Sequence, residues 1–269
     1  MSSEAKILII CLEGCHGCGK TALSDEFEAR GYRVLDEAFM DMPSYALPPQ
    51  SLLMETSWVC SWFERVLRLA NRVRHEKTGL AARQYVYIAD RSPFSAVFYS
   101  RQGHLLEPVI REQMREVQEF SNVQFYTVNI NVEAELLWSR ILARLEREPE
   151  RVRFNEHKRS WMEQTLDFYN TFQWDLHVQN DDRSIGQVAD DIVTNLSERD
   201  PDFREWTLRK KTSYSLFDTS FASTDSDEEL LNEVSSTSSD ACLSPVTEKL
   251  AQEHFPSIIS FNNNLDLDF

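Results

Sequence analysis

Glycine is scarce in this chain, with seven in 269 residues. Glycine is the residue that takes positive φ at no steric cost, so a chain this poor in it concentrates it where the backbone demands it. Three of the seven, Gly14, Gly17 and Gly19, fall within six positions. No apolar run approaches the roughly 20 residues that a bilayer crossing needs. The opening MSSEAKILIICLEG lacks a basic n-region and a small-residue cleavage site, so no signal peptide is expected and a cytoplasmic location is. The five cysteines, Cys11, Cys15, Cys18, Cys60 and Cys242, are an odd number in a long chain, which fits free thiols in a reducing compartment. Basic excess is also missing. The net charge is −16, which argues against non-specific binding to nucleic acid or anionic membrane. No internal repeat is present.

What is there is enough apolar surface for a sizeable core, 42% hydrophobic and 11% aromatic residues. The charge is uneven. Residues 212–269 carry 11 acidic and one basic residue, against 33 acidic and 27 basic in residues 1–211. The run AKILIICL (5–12) has the continuous apolar character of a strand buried on both faces in a parallel sheet. TALSDEFEARG reads as a helix ended by Gly31. Further strands are expected at 32–38, 84–90, 123–130 and, weakly, in WDLHVQN. Helices are expected at 51–76, 106–120, from Glu133 onward, at 155–172 and in SIGQVADDIVTNL. Strands alternating with helices imply a three-layer α/β/α domain with a parallel sheet of about five strands. The domain is placed at residues 1–200 and an acidic, Ser/Thr-rich, mostly disordered tail at 201–269. In the tail, Ser226 and Ser244 stand in settings that acid-directed and proline-directed kinases accept. The tail reads either as a solubilising extension or as a docking segment for a protein partner.

The glycine cluster fits G-x-x-x-x-G-K-[ST] at Gly14, Gly19, Lys20 and Thr21, between an apolar strand and a helix. Such a loop wraps a polyphosphate with main-chain N–H groups, and the helix N-terminus adds favourable partial charge. Residues Gly14, Cys15, His16, Gly17, Cys18, Gly19, Lys20 and Thr21 are therefore expected to hold the phosphates of ATP. Lys20 would reach the β and γ phosphates and Thr21 would ligate Mg²⁺. Cys15 and Cys18 also form a C-x-x-C, but no second Cys/His pair exists to complete four metal ligands. They read as small fillers of the loop, or as a pair whose disulfide would distort the cradle under oxidation.

A guanine-reading N-K-x-D motif is absent, which weakens a GTPase reading. LEGCHGCGKT, then VLDEAF, then DRSPFSAVFYS, in that order, resemble the deoxynucleoside kinase and thymidylate kinase superfamily of P-loop kinases over roughly residues 5–196. The resemblance implies Glu37 as the base towards an acceptor hydroxyl, Asp90 beside Mg²⁺, and Arg91 positioning acceptor and phosphates. SRILARLEREPERVRF places Arg140, Arg144 and Arg147 on one helical face and resembles the arginine-bearing lid of these kinases. Arg140 is expected at the nucleotide and Arg144 in catalysis. Pro149 suits a helix–loop–helix lid rather than one continuous helix. The alternative for these arginines is a solvated helix with Glu/Arg pairs.

The implied reaction is transfer from Mg-ATP to the 5′-hydroxyl of a deoxynucleoside, because acids rather than arginine end the second strand. RFNEHKRSWMEQTLDFY instead resembles the segment after the lid in thymidylate kinases, which keeps a monophosphate acceptor open. A nucleotide-binding regulatory or interaction protein is the reading from another class. Glu55 stands nearest to a base-reading position, and Trp58, Trp62 and Phe63 are candidates for stacking or for the core. Members of the superfamily are often dimers through helices beside the sheet, and the long apolar helix permits a homodimer here.

Overall fold

The computed structural model describes residues 6–36, 47, 50–75 and 84–210. Glu37 and residues 211–269 lie outside the described residues. Strand β1 (Lys6–Glu13) is buried along its length from Ile7 onward. Its alternating side chains enter two separate cores. Ile7, Ile9 and Cys11 join one, and Leu8, Ile10 and Leu12 join the other. This period-2 division of a wholly apolar strand is what a sheet covered on both faces requires.

Four more strands complete the sheet: β2 (Arg33–Leu35), β3 (Gln84–Asp90), β4 (Val123–Asn131) and β5 (Leu176–Gln179). They lie in the order β2-β3-β1-β4-β5, and every pairing is parallel. The expected fold class is the one observed. The weak fifth strand is real: Leu176 and Val178 are buried while His177 and Gln179 are exposed.

One face is covered by α2 (Leu52–His75) and α4 (Leu106–Ser121), with Trp58, Trp62, Val66, Ile110 and Met114 among the buried residues. On the other face lie α1 (Lys20–Ala29), α5 (Ala134–Arg147) and α7 (Ile185–Arg199). Short α3 (Ser95–Tyr99) follows β3, and α6 (Arg159–Thr171) precedes β5. Between α5 and α6 a 3-10 turn, Pro149–Phe154, replaces a continuous helix. Proline at its start removes an N–H that α5 would have needed. The helix expected from 155 begins only at Arg159, because Asn155 takes a left-handed conformation, φ 64°. No helix of the described residues is long and apolar enough to cross a membrane.

The boundary expected at residue 200 is too early. A further helix, α8, covers 201–210. Asp200 caps it, its Oδ1 accepting from the amides of Asp202 (2.9 Å) and Phe203 (3.1 Å), and Pro201 occupies the first turn, where a missing N–H costs nothing. Phe203 is fully buried in the core beside α1 and α7. Trp206 packs on Tyr32 at 5.2 Å, and the Lys210 ammonium lies 3.5 Å from the centre of the Tyr32 ring. Phe203→Ala should therefore lower stability by about 3–5 kcal/mol in urea unfolding, a loss that a residue in an unstructured tail would not produce.

Candidate functional site

In a parallel sheet of this order, β1 lies between β3 and β4, and the crevice at their carboxyl ends is the natural ligand position. Leu12 pairs with Asp90 and Glu13 with Asn129, so polar groups gather where the apolar strands stop. The chain leaves β1 through the glycine loop. Gly14 has φ 143°, and a Cβ there would lie 2.7 Å from both Cys18 Sγ and the Ile130 carbonyl oxygen. Gly19 has φ 99°, and its Cβ would meet Asn180 Nδ2 at 2.6 Å. Any side chain at either position would push the loop off β4 or off the segment after β5. Helix α1 starts at Lys20, and its cap residue Gly19 supplies no side-chain hydrogen bond to the first N–H groups, which leaves them available to an anion.

Lys20 spans the loop. Its Nζ donates to the carbonyls of Gly14 (2.8 Å) and Cys15 (3.1 Å). Thr21 Oγ1 donates to Asp90 Oδ2 at 3.4 Å. Asp90 Oδ1 is buried and has no hydrogen-bond partner. A hydroxyl and a carboxylate, one oxygen of which is unsatisfied, are hard oxygen donors of the kind Mg²⁺ takes in ones and twos beside substrate phosphates. These residues fit the expected ion. Among the described residues no cluster of three or more His, Cys, Asp or Glu could hold a metal by itself.

Arg91 follows Asp90 in a left-handed conformation, φ 75°, which costs a non-glycine residue about 1–2 kcal/mol. Its amide donates to the Leu12 carbonyl at 3.0 Å, and its guanidinium lies 5.1 Å from the centre of the Tyr99 ring. Arg91 and Tyr99 line a cleft of about 190 Å³ together with His16, Glu55, Trp58 and Trp161. Glu55 and Trp58 are buried and turn towards this cleft, whereas Trp62 and Phe63 belong to the core alone.

His16 is buried, with Nδ1 3.5 Å from Cys15 Sγ and Nε2 without a partner. Burial first, then the positive charges of Lys20, Arg91, Arg144 and Arg151, hold its pKa down at about 3, so the imidazole is neutral at pH 7. Burial pushes the Cys15 thiol up to about 12. A thiol so far from ionising is a poor nucleophile, so Cys15 is not the attacking thiol of a redox pair.

The three arginines expected on one face of α5 have separate partners. Arg140 donates to the carbonyls of Asn180 (3.2 Å) and Asp181 (2.8 Å). Asn180 in turn donates to the Cys18 carbonyl at 2.7 Å, so Arg140 and Asn180 tie the segment after β5 to the phosphate loop. Arg144 Nε meets both carboxylate oxygens of Glu148 at 3.2 Å. Arg147 is exposed, and its Nε donates back to the Ala143 carbonyl at 3.3 Å. Arg151, in the 3-10 turn, pairs with Glu148 and Glu156 and lines the cleft. Arg144 and Arg151 are among the charges that act on the loop's His16.

A family model described as an AAA domain matches residues 9–175. The chain belongs to this AAA-domain family. The match takes in the phosphate loop, Asp90 and the segment up to β5. No curated protein matches the chain. Solved structures similar to it include a deoxyadenosine kinase from M. mycoides, at 14% identity and a TM-score of 0.44 over 71% of this chain and 99% of that one. A thymidylate kinase from Candida albicans has 11% identity and a TM-score of 0.45 over 74% and 94%. An APS kinase from Mycobacterium tuberculosis has 13% identity and a TM-score of 0.41 over 72% and 99%.

Besides Asn180, Glu13 and Tyr169 at this site escaped sequence reading. Glu13 is fully buried. Tyr169, on α6, is buried with its hydroxyl 3.1 Å from Glu13. The signal for Glu13 was an acid closing an apolar strand directly before the loop. Nothing local marks Tyr169.

The neutral His16 makes a pH prediction. Its folded pKa lies below the unfolded value of 6.5, so the unfolded chain takes up the proton first as pH falls. The wild type then loses up to about 3 kcal/mol of stability between pH 6.5 and pH 4. His16→Asn lacks this loss. Urea unfolding at pH 7 and pH 4 should show the stability difference moving in the variant's favour by that amount.

Proposed function

We propose that this chain transfers the γ-phosphoryl group of Mg-ATP to the 5′-hydroxyl of a deoxynucleoside seated in the cleft beside Arg91. The observation that carries the reading is the pairing of Thr21 with Asp90, whose second oxygen is unsatisfied, next to a cleft bearing both arginine and aromatic rings. Mg²⁺ bound there would neutralise charge on the transferred group. The remaining work falls to the chain. Main-chain amides of Gly14–Thr21 cradle the donor phosphates, and Lys20 exchanges its loop carbonyls for phosphate oxygens. Arg91, with Arg144 from the lid, stabilises charge spreading over the transferred group. The 3-10 turn after α5 closes the donor site against water. Glu37 is the proposed base, following the resemblance of VLDEAF.

A second acceptor class is favoured by a specific observation. Arg151 and Arg153 join Arg91 in lining the cleft, and extra cations suit an acceptor that is itself a monophosphate. The reading as a nucleotide-binding regulatory protein predicts nucleotide binding with no acceptor-dependent turnover.

One assay separates the three: the four deoxynucleosides and dTMP, each with Mg-ATP, followed by detection of the phosphorylated product. The expected outcome is a nucleoside monophosphate. A diphosphate formed from dTMP alone moves the assignment to the second class, and bound ATP with no product refutes transfer. Asp90→Asn and Lys20→Ala should each lower turnover by roughly 10²–10³-fold.

A further inference from the structure

The Glu13 carboxylate takes no part in the motif-based account of this site, and it does not line the cleft. It is fully buried at the end of β1, where an isolated carboxylate would be costly. Four donor contacts satisfy it. Its Oε1 accepts from the Ser92 amide (2.7 Å) and the Ser92 hydroxyl (2.5 Å). Its Oε2 accepts from Ser95 Oγ (2.8 Å) and the Tyr169 hydroxyl (3.1 Å). Arg91 lies against the same group. Its Nη1 donates to Ser95 Oγ at 3.4 Å and to the Tyr169 hydroxyl at 3.3 Å. Burial pushes the Glu13 pKa up, and the Arg91 guanidinium is the largest influence opposing that rise.

A backbone bond adjoins this arrangement. Leu12 accepts the Arg91 amide and Glu13 accepts the Ser92 amide, so two consecutive residues of β1 grip two consecutive residues of the turn after β3. The residue caught between these grips is the one in the strained left-handed conformation. Strain of this kind persists only where surrounding contacts over-determine it.

We infer that Glu13 is a positioning residue that fixes the Arg91 guanidinium in the wall of the cleft, acting through Ser92, Ser95 and Tyr169. The inference rests on the phosphoryl-transfer reading and deepens it. Tyr169 brings α6 into the arrangement. That helix also carries Trp161, a lining residue of the cleft, so the helix that follows the lid contacts the cleft near its start and the Arg91 anchor near its end. A carboxylate suits the position because it offers about four acceptor sites and no donor, which matches four converging donors. A glutamine would turn an N–H₂ towards hydroxyls that are already donating.

Glu13→Gln tests this with volume preserved. Turnover of the acceptor should fall roughly 10–100-fold with acceptor KM raised, while the Kd for a fluorescent ATP analogue stays within about two-fold. Tyr169→Phe removes one hydroxyl, keeps the ring stacked on Trp174 at 5.5 Å, and should cost about 3–10-fold in turnover. A second readout is independent of activity. The Arg91 side-chain N–H resonance, assigned by its loss in Arg91→Lys, should shift and broaden in both variants. Two results overturn the inference: an unchanged Arg91 resonance in both variants, or a loss of ATP-analogue binding equal to the loss of turnover, which would make Glu13 a support of the loop. If the wild type phosphorylates no acceptor, the phosphoryl-transfer reading falls, and the Arg91 resonance alone decides the role of Glu13.

Discussion

The constraint on which this molecule depends is the burial of β1 on both faces. From Ile7 to Glu13 every side chain is enclosed, so the strand can carry polar groups only where it ends. Its neighbours β3 and β4 run parallel to it, and their ends emerge on the same side. Glu13, Asp90 and Asn129 therefore collect at one edge of the sheet. The chain has to leave that edge by passing within contact distance of the Ile130 carbonyl, and only glycine at position 14 permits it. The phosphate loop is thus seated by the sheet rather than simply following it.

Charge at the site is arranged by pairing. Lys20 is held by loop carbonyls. Arg144 and Arg151 share the carboxylate of Glu148. Arg91 lies against the Glu13 arrangement. Each cation thus has a protein partner in low dielectric, where an unpaired charge would be expensive. His16, surrounded by these cations and buried, stays neutral instead. The result is a cleft in which positive groups are pre-placed with modest electrostatic cost, next to aromatic surface from Trp58, Tyr99 and Trp161.

The expected division of the chain needed one change, and its reason is local. Asp200-Pro201 is a helix-start signal that the acidic composition downstream obscured, and Phe203 supplies the apolar anchor that joins α8 to the core. The arginines of α5 show what spacing leaves open. Spacing put Arg140, Arg144 and Arg147 together, and spacing is blind to which carbonyls and carboxylates stand opposite each of them.

The order of the five strands, the helices between them, the parallel sheet and the phosphate loop were legible in the sequence, whereas α8 was not. Each rests on a local pattern: an apolar run of strand length, glycines at fixed offsets, a lysine and a threonine at a helix start. Membership of the AAA-domain family follows the same stretch of chain. Glu13 with Tyr169, Asn180 with the loop, and Arg140 turned towards backbone carbonyls were decided by tertiary structure alone. Their partners lie 156, 162 and 40 residues away in sequence, and no periodicity or motif records a contact made only when distant segments are packed against the same sheet edge.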